Sequence, residues 1–147
     1  MTLKVSTGLR NGLLDSGSLK SQLDGGRINI YAGAVPASAD ESLGSATLLC
    51  AVTQNSTGSG INFDTAAVGD TLSKAPGEVW SGVNAATGTA TFYRHVAAGD
   101  DGTLSTSAPR LQGEVGTAGK ELNLSSINLT SGATQTIDYY SVTQPTL

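Results

Sequence analysis

Thr87-Gly88-Thr89-Ala90-Thr91-Phe92-Tyr93-Arg94-His95-Val96 is the strongest strand signal in this chain. Threonines, aromatics and a valine dominate it, the residue types that fit a pleated, half-buried surface. It contains the only histidine and one of two phenylalanines, and it follows the only tryptophan, Trp80. Alternation puts Ala90, Phe92, Arg94 and Val96 on one face and Thr91, Tyr93 and His95 on the other. Neither face is uniformly apolar. Ala90, Phe92 and Val96 are expected inward, with Arg94 near a sheet edge or paired with a carboxylate. The stretch is the candidate central strand.

Working outward, residues 78–83 follow the Pro76-Gly77 turn and read as another strand. Arg27-Ile28-Asn29-Ile30-Tyr31 alternates, with Ile28 and Ile30 inward. Residues 46–53 form a mostly apolar run suited to a strand buried on both faces, and residues 61–64 a short strand. Downstream, Gly99-Asp100-Asp101-Gly102 reads as a solvated acidic turn. Residues 110–115 read as a strand, then 121–124 and 127–129, with a bulge or bend at Ser125-Ser126. Residues 135–142 form the last strand, with Ile137, Tyr139 and Val142 buried, and Pro145 ends the pairing. About eight short strands separated by turn signals predict an all-β fold: an antiparallel β-sandwich or a jelly-roll-like barrel.

Residues 1–26 read differently from the β domain of residues 27–147. Leu9, Leu13 and Leu14 are spaced as one helical face, but Gly8 and Gly12 weaken a helix there. From Ser16 to Gly26 the signals are clearer: a capping serine, Leu19 and Leu23 at i and i+4, and a Gly25-Gly26 stop. The expectation is an N-terminal arm followed by one short helix. The helix either packs over one end of the sheet or belongs to an arm reaching a neighbouring subunit.

The chain has 147 residues, of which 38% are hydrophobic, 5% aromatic and only 14% charged. That length can bury a core without staples. The net charge of −4 and eight scattered basic residues give no footprint for nucleic acid and no polybasic membrane anchor. No apolar run is long enough to span a membrane as a helix. The Met1 start lacks a secretory pattern, so synthesis in a host cytoplasm is expected. The single cysteine, Cys50, forms no intrachain disulfide and sits in an apolar run, which predicts a buried, inert thiol.

His95 lacks a nucleophile-elbow serine context, so no triad is assigned. One His and one Cys make no ordinary zinc site. Asp100-Asp101-Gly102 lacks the further oxygen ligands of a calcium loop. There is no phosphate-binding loop or dinucleotide fingerprint. Asp40, Glu41 and Asp70 read as surface carboxylates. The expectation is a protein without enzymatic activity, cofactor or metal. Trp80, Phe92, Tyr93, Tyr139 and Tyr140 form either a stacking platform for sugar or base, or the large pieces of a β core.

Three segments together resemble a known family. They are Ser6-Thr7-Gly8-Leu9-Arg10-Asn11-Gly12-Leu13-Leu14; the run from Ser18-Leu19-Lys20 through Ile28-Asn29-Ile30-Tyr31-Ala32-Gly33 to Pro36-Ala37-Ser38-Ala39-Asp40; and Leu72-Ser73-Lys74-Ala75-Pro76-Gly77-Glu78-Val79-Trp80-Ser81-Gly82 with Gly88-Thr89-Ala90. This pattern is similar to small structural proteins of tailed-bacteriophage virions, and within them to capsid decoration (cement) proteins. The resemblance implies a protein on the capsid surface of the virion that binds the major capsid protein and itself, with a homotrimer favoured. It supplies no catalytic motif. Capsid or subunit contact is expected through Leu9, Leu13, Leu14, Leu19 and Leu23. A tail or head-fibre component, or a displayed glycan-binding β-sandwich, is the alternative.

Overall fold

The 87–96 stretch splits in two in the computed structural model, which describes residues 3–144. In chain order the elements are β1 (Lys4–Val5), α1 (Thr7–Asp15), α2 (Leu19–Leu23), β2 (Arg27–Ala32), β3 (Thr47–Gln54), β4 (Thr71–Ser73), β5 (Trp80–Val83), β6 (Gly88–Thr89), β7 (Phe92–Val96), β8 (Arg110–Gly116), β9 (Leu122–Asn123), β10 (Asn128–Leu129), β11 (Thr134–Ile137) and β12 (Ser141–Thr143). The split has a hydrogen-bonding cause. Ala90 N still donates to Ile127 O, beside the β6–β10 pair, whereas Thr91 N donates to Tyr31 O on β2. The chain changes partners between those two residues, so one run of sequence serves two sheets.

The fold is all-β and sandwich-like. Eight strands form one large, mainly antiparallel sheet in the order β1-β8-β7-β2-β3-β5-β11, with β9 pairing parallel to β8. Two ribbons, β6–β10 and β4–β12, complete it. β7 is central as expected, flanked by β2 and β8. The expected strand over 61–64 is reduced to the isolated bridges Gly26↔Ile61 and Phe63↔Lys74. The expected strand over 135–142 breaks where the chain leaves β5 for β4. That break overturns the expectation that Tyr139 is buried: Tyr139 is 89% exposed, and Tyr140 takes the buried place. The Pro145 stop lies outside the described residues.

Directly paired residues share a face, so the register separates the sheet's two sides. One side carries Val52–Ile28–His95–Leu111–Val5 and, next to it, Cys50–Ile30–Tyr93–Gly113. This is the apolar core, joined by Leu9, Leu23, Phe63, Leu72, Trp80, Ile137 and Tyr140.

The other side is also buried and is mixed: Phe92 stacks on Tyr31 (ring centroids 4.9 Å), and Val96 is buried there too. Phe92 and Val96 therefore pack opposite the apolar core that they were expected to face, and Tyr93 and His95 point into it instead. Arg94 lies here fully buried, bonded through Nε to Gln112 Oε1 (2.9 Å), through Nη1 to Gly102 O (2.6 Å) and through Nη2 to Ser38 O (3.2 Å). It neither sits near an edge nor pairs with a carboxylate. Backbone carbonyls of two covering loops satisfy it instead. Burial, followed by the charge of Arg110, lowers its pKa. Arg110 is the residue with the carboxylate: Nε and Nη2 donate to the two oxygens of Asp100 at 2.6 and 2.7 Å, and Nη1 reaches Ala39 O. The acidic turn is therefore divided. Asp100 is drawn into a buried ion pair, while Asp101 is exposed, its carboxyl held below the usual range by the Thr103 backbone N–H and hydroxyl.

Residues 3–26 are built into the body. Ser6 Oγ accepts from Leu9 N to cap α1, accepts from Arg110 N, and donates to Ala108 O. Asp40 accepts from Thr7 N and Thr7 Oγ1, placing a negative charge at the helix start. There are thus two helices where the sequence predicts an arm and one helix. The glycines that weaken α1 intrinsically are what lets it dock. A Cβ at Gly8 would overlap the Ser107 carbonyl, and one at Gly12 would overlap the Gln22 side chain. Close packing outweighs the ~1 kcal/mol per glycine of helix propensity.

Candidate functional site

An open concavity lies where the core side of the sheet meets its own edge. β1 and β9 lie end to end on the outer flank of β8. Opposite them runs the β4–β12 ribbon, and α1 and α2 close one end. Between these banks lies an apolar groove of about 880 Å³, whose walls include Leu3, Val5, Leu13, Leu19, Leu72 and Val142. On the far side of Leu3, a more polar cleft of about 520 Å³ continues past Lys120, Glu121, Asn123 and Tyr139. Leu3, Val142 and Thr143 line both, so the two form one trough along β12.

Local sequence explains the trough's walls. Val5 shares the core side with its partner Leu111, but the sheet ends at β1 and nothing beyond it among the described residues continues the apolar row. Leu13 and Leu19 face the groove because α1 and α2 turn their fully buried residues, Leu9 and Leu23, into the core. Leu9 and Leu23 are therefore structural and unavailable for outside contact in this conformation. Leu13 is 43% exposed, Leu14 is 87% exposed, and Leu19 is partly buried. Of the five leucines expected to make contacts, Leu13 and Leu19 line the groove and Leu14 projects into solvent. Leu3, Val5, Leu72 and Val142 were not among the sequence candidates, and Tyr139 was one only as part of an aromatic platform. The i, i+2 spacing of Leu3 and Val5 was a local signal for an edge strand. Local pattern marked Val142 only as a strand residue and did not mark Leu72; the two meet through β4–β12 pairing.

Charge along the trough is sparse. Lys20 is held by Asp24 at 2.6 Å, and Lys120 lies 3.3 Å from Glu114. Asp70 near one end and Glu121 near the other have no cationic partner among the described residues.

The rare residues that gather around β7 form packing, not a reactive centre. His95 is buried among Phe63, Trp80 and Tyr140, with ring centroids 5.3, 6.3 and 5.6 Å away. Its Nδ1 lies 3.4 Å from the Tyr140 hydroxyl. Burial pushes its pKa down to about 3, against the opposing charge of Asp24. Trp80, Tyr93 and Tyr140 are all buried, so they present no stacking platform. The Tyr93 and Tyr140 hydroxyls meet at 3.2 Å, and burial raises both pKa values. Cys50 is buried, and desolvation pushes its thiol up to about 11, far from the thiolate that nucleophilic chemistry needs. Among the described residues, no three of His, Cys, Asp and Glu converge as a metal-holding group. No described helix is long and apolar enough to cross a membrane.

No family model matches the chain, and searches of curated proteins and of solved structures find no match.

Proposed function

We propose that this chain is a non-enzymatic structural protein of a tailed-bacteriophage virion, a decoration protein that docks on the outer face of the capsid shell. The sequence resemblance supplies the particle. The single structural observation that supports docking is the apolar trough between the sheet edge and the β4–β12 ribbon, with Leu13 and Leu19 in its wall and Leu14 projecting beside it. Apolar surface of this kind contributes roughly 25 cal/mol for each Å² withdrawn from water. Solvent-facing leucines and an open groove are what an assembly contact would cover. The docking partner is the major capsid protein, and assembly at symmetry positions places several copies side by side.

Stoichiometry tests the reading. Quantitative mass spectrometry of purified particles is expected to give a copy number in fixed ratio to the major shell protein, in the hundreds for a shell of ordinary size. A handful of copies per particle would place the protein at the tail or a single vertex and end the decoration reading.

A further inference from the structure

The two banks of the trough are strand edges with open hydrogen-bonding groups. In an antiparallel pair, successive residues point their N–H and C=O alternately toward and away from the partner strand. Lys74 N donates to Tyr140 O and Gln144 N donates to Asp70 O, so Tyr140, Val142 and Gln144 face β4. Ser141 and Thr143 then direct their backbone groups away from β4, and both line the trough. On the other bank, Ser6 N donates to Arg110 O, so Lys4 and Ser6 face β8 and Val5 turns its N–H and C=O outward. Among the described residues none of these outward groups has a backbone partner. The floor between them is apolar, and the two carboxylates without cationic partners, Asp70 and Glu121, lie toward opposite ends.

We propose that the trough accepts an extended strand from the shell protein, with apolar side chains at alternate positions and a basic residue at each end. The inference rests on the shell-docking reading and specifies its mode. Backbone bonds to Ser141 and Thr143, or to Val5, supply the ladder. Every second side chain enters the apolar floor beside Leu72, Leu111 and Val142. The end charges match Asp70 and Glu121. A helix fits the site less well, because it satisfies its own backbone and leaves the open edges unmet.

The probe is an acetylated, amidated hexapeptide, Lys-Val-Thr-Val-Thr-Lys, tested with the full-length protein by titration calorimetry and amide hydrogen exchange. A peptide with proline replacing the central threonine serves as control, since proline removes a ladder donor. The expected result is saturable binding, at least tenfold weaker for the proline peptide and for the Asp70→Lys variant, with exchange slowed at Ser141, Thr143 or Val5. Equal binding of the two peptides, no binding, or unchanged exchange at all three amides would overturn the proposal. Shell binding by the full chain, measured with and without the peptide, separates this inference from the reading beneath it. If the protein binds shells and the peptide does not compete, strand acceptance is wrong while decoration stands. If the protein does not bind shells, decoration is wrong whatever the peptide does. Self-association in sedimentation that the peptide abolishes would assign the trough to a second copy and overturn the shell protein as occupant.

Discussion

His95 shows how one residue's environment decides its role. The unfolded chain protonates it near pH 6.5, whereas the folded chain holds it neutral down to about 3 because burial penalises the charge. Between those values the unfolded state binds the extra proton, so stability falls as pH falls through this window. The loss specific to His95 is about 2–3 kcal/mol between pH 7 and pH 4.5. His95→Phe keeps an aromatic ring and removes the titration. Urea midpoints at the two pH values should therefore differ less for the variant than for the parent; equal differences would mean His95 is not buried neutral. Asp100 gives a second test at this scale. Asp100→Ala leaves the Arg110 guanidinium buried beside Arg94 without its carboxylate. The expected cost is about 3–5 kcal/mol, read as a lowered urea midpoint. Asp101→Ala, at the exposed neighbour, removes only its turn bonds to Thr103 and should lower the midpoint far less.

At the scale of elements, α1 gives the clearest test of packing against propensity. Gly8→Ala improves intrinsic helix propensity by up to ~1 kcal/mol. It also drives a methyl into the Ser107 carbonyl, where backbone must yield. Overpacking of this kind costs about 1–3 kcal/mol, so the thermal midpoint is expected to fall. A rise would mean that α1 does not dock on the 107–108 backbone. The same contest explains which elements the sequence revealed. β2, β3, β5 and β8 were legible because their alternation or apolar character is set by residues within the strand. β1 and β4 were not, since each is two or three residues long and pairs with a segment far away in sequence. The 87–96 run was legible as strand but not as two strands, because the partner change at Ala90–Thr91 is set by residues 127 and 31. Arg94 was misplaced for a related reason: the carbonyls that satisfy it, at Ser38 and Gly102, belong to loops whose return over the sheet leaves no local mark. Of the candidate contacts, helical spacing grouped Leu9, Leu13 and Leu14 but could not tell the core-facing residue from the two left outside.

At the scale of the whole molecule, the sheet has a covered side that mixes aromatic and charged residues, an apolar core side, and a flank where the core side stays open. The proposed docking uses that flank. Leu13→Asp combined with Leu14→Asp changes two exposed or half-exposed positions, and the variant is expected to keep the parent's thermal midpoint within a few degrees. Its retention on shells in a sedimentation assay is expected to fall at least tenfold. Retention equal to the parent would show that this flank is not the contact. Residues 1–26 also contribute β1, the α1 cap and two core leucines, so deleting residues 1–14 removes structure along with contact surface. Point substitution in the trough is the cleaner test.

The most direct measurement is a density map of the assembled particle at a resolution that orients this domain. Copies are expected to repeat over the outer shell lattice, each with the trough between β1 and β12 turned toward the major shell protein and occupied by it. Copies confined to the tail, or lattice copies with the trough open to solvent, would contradict this expectation.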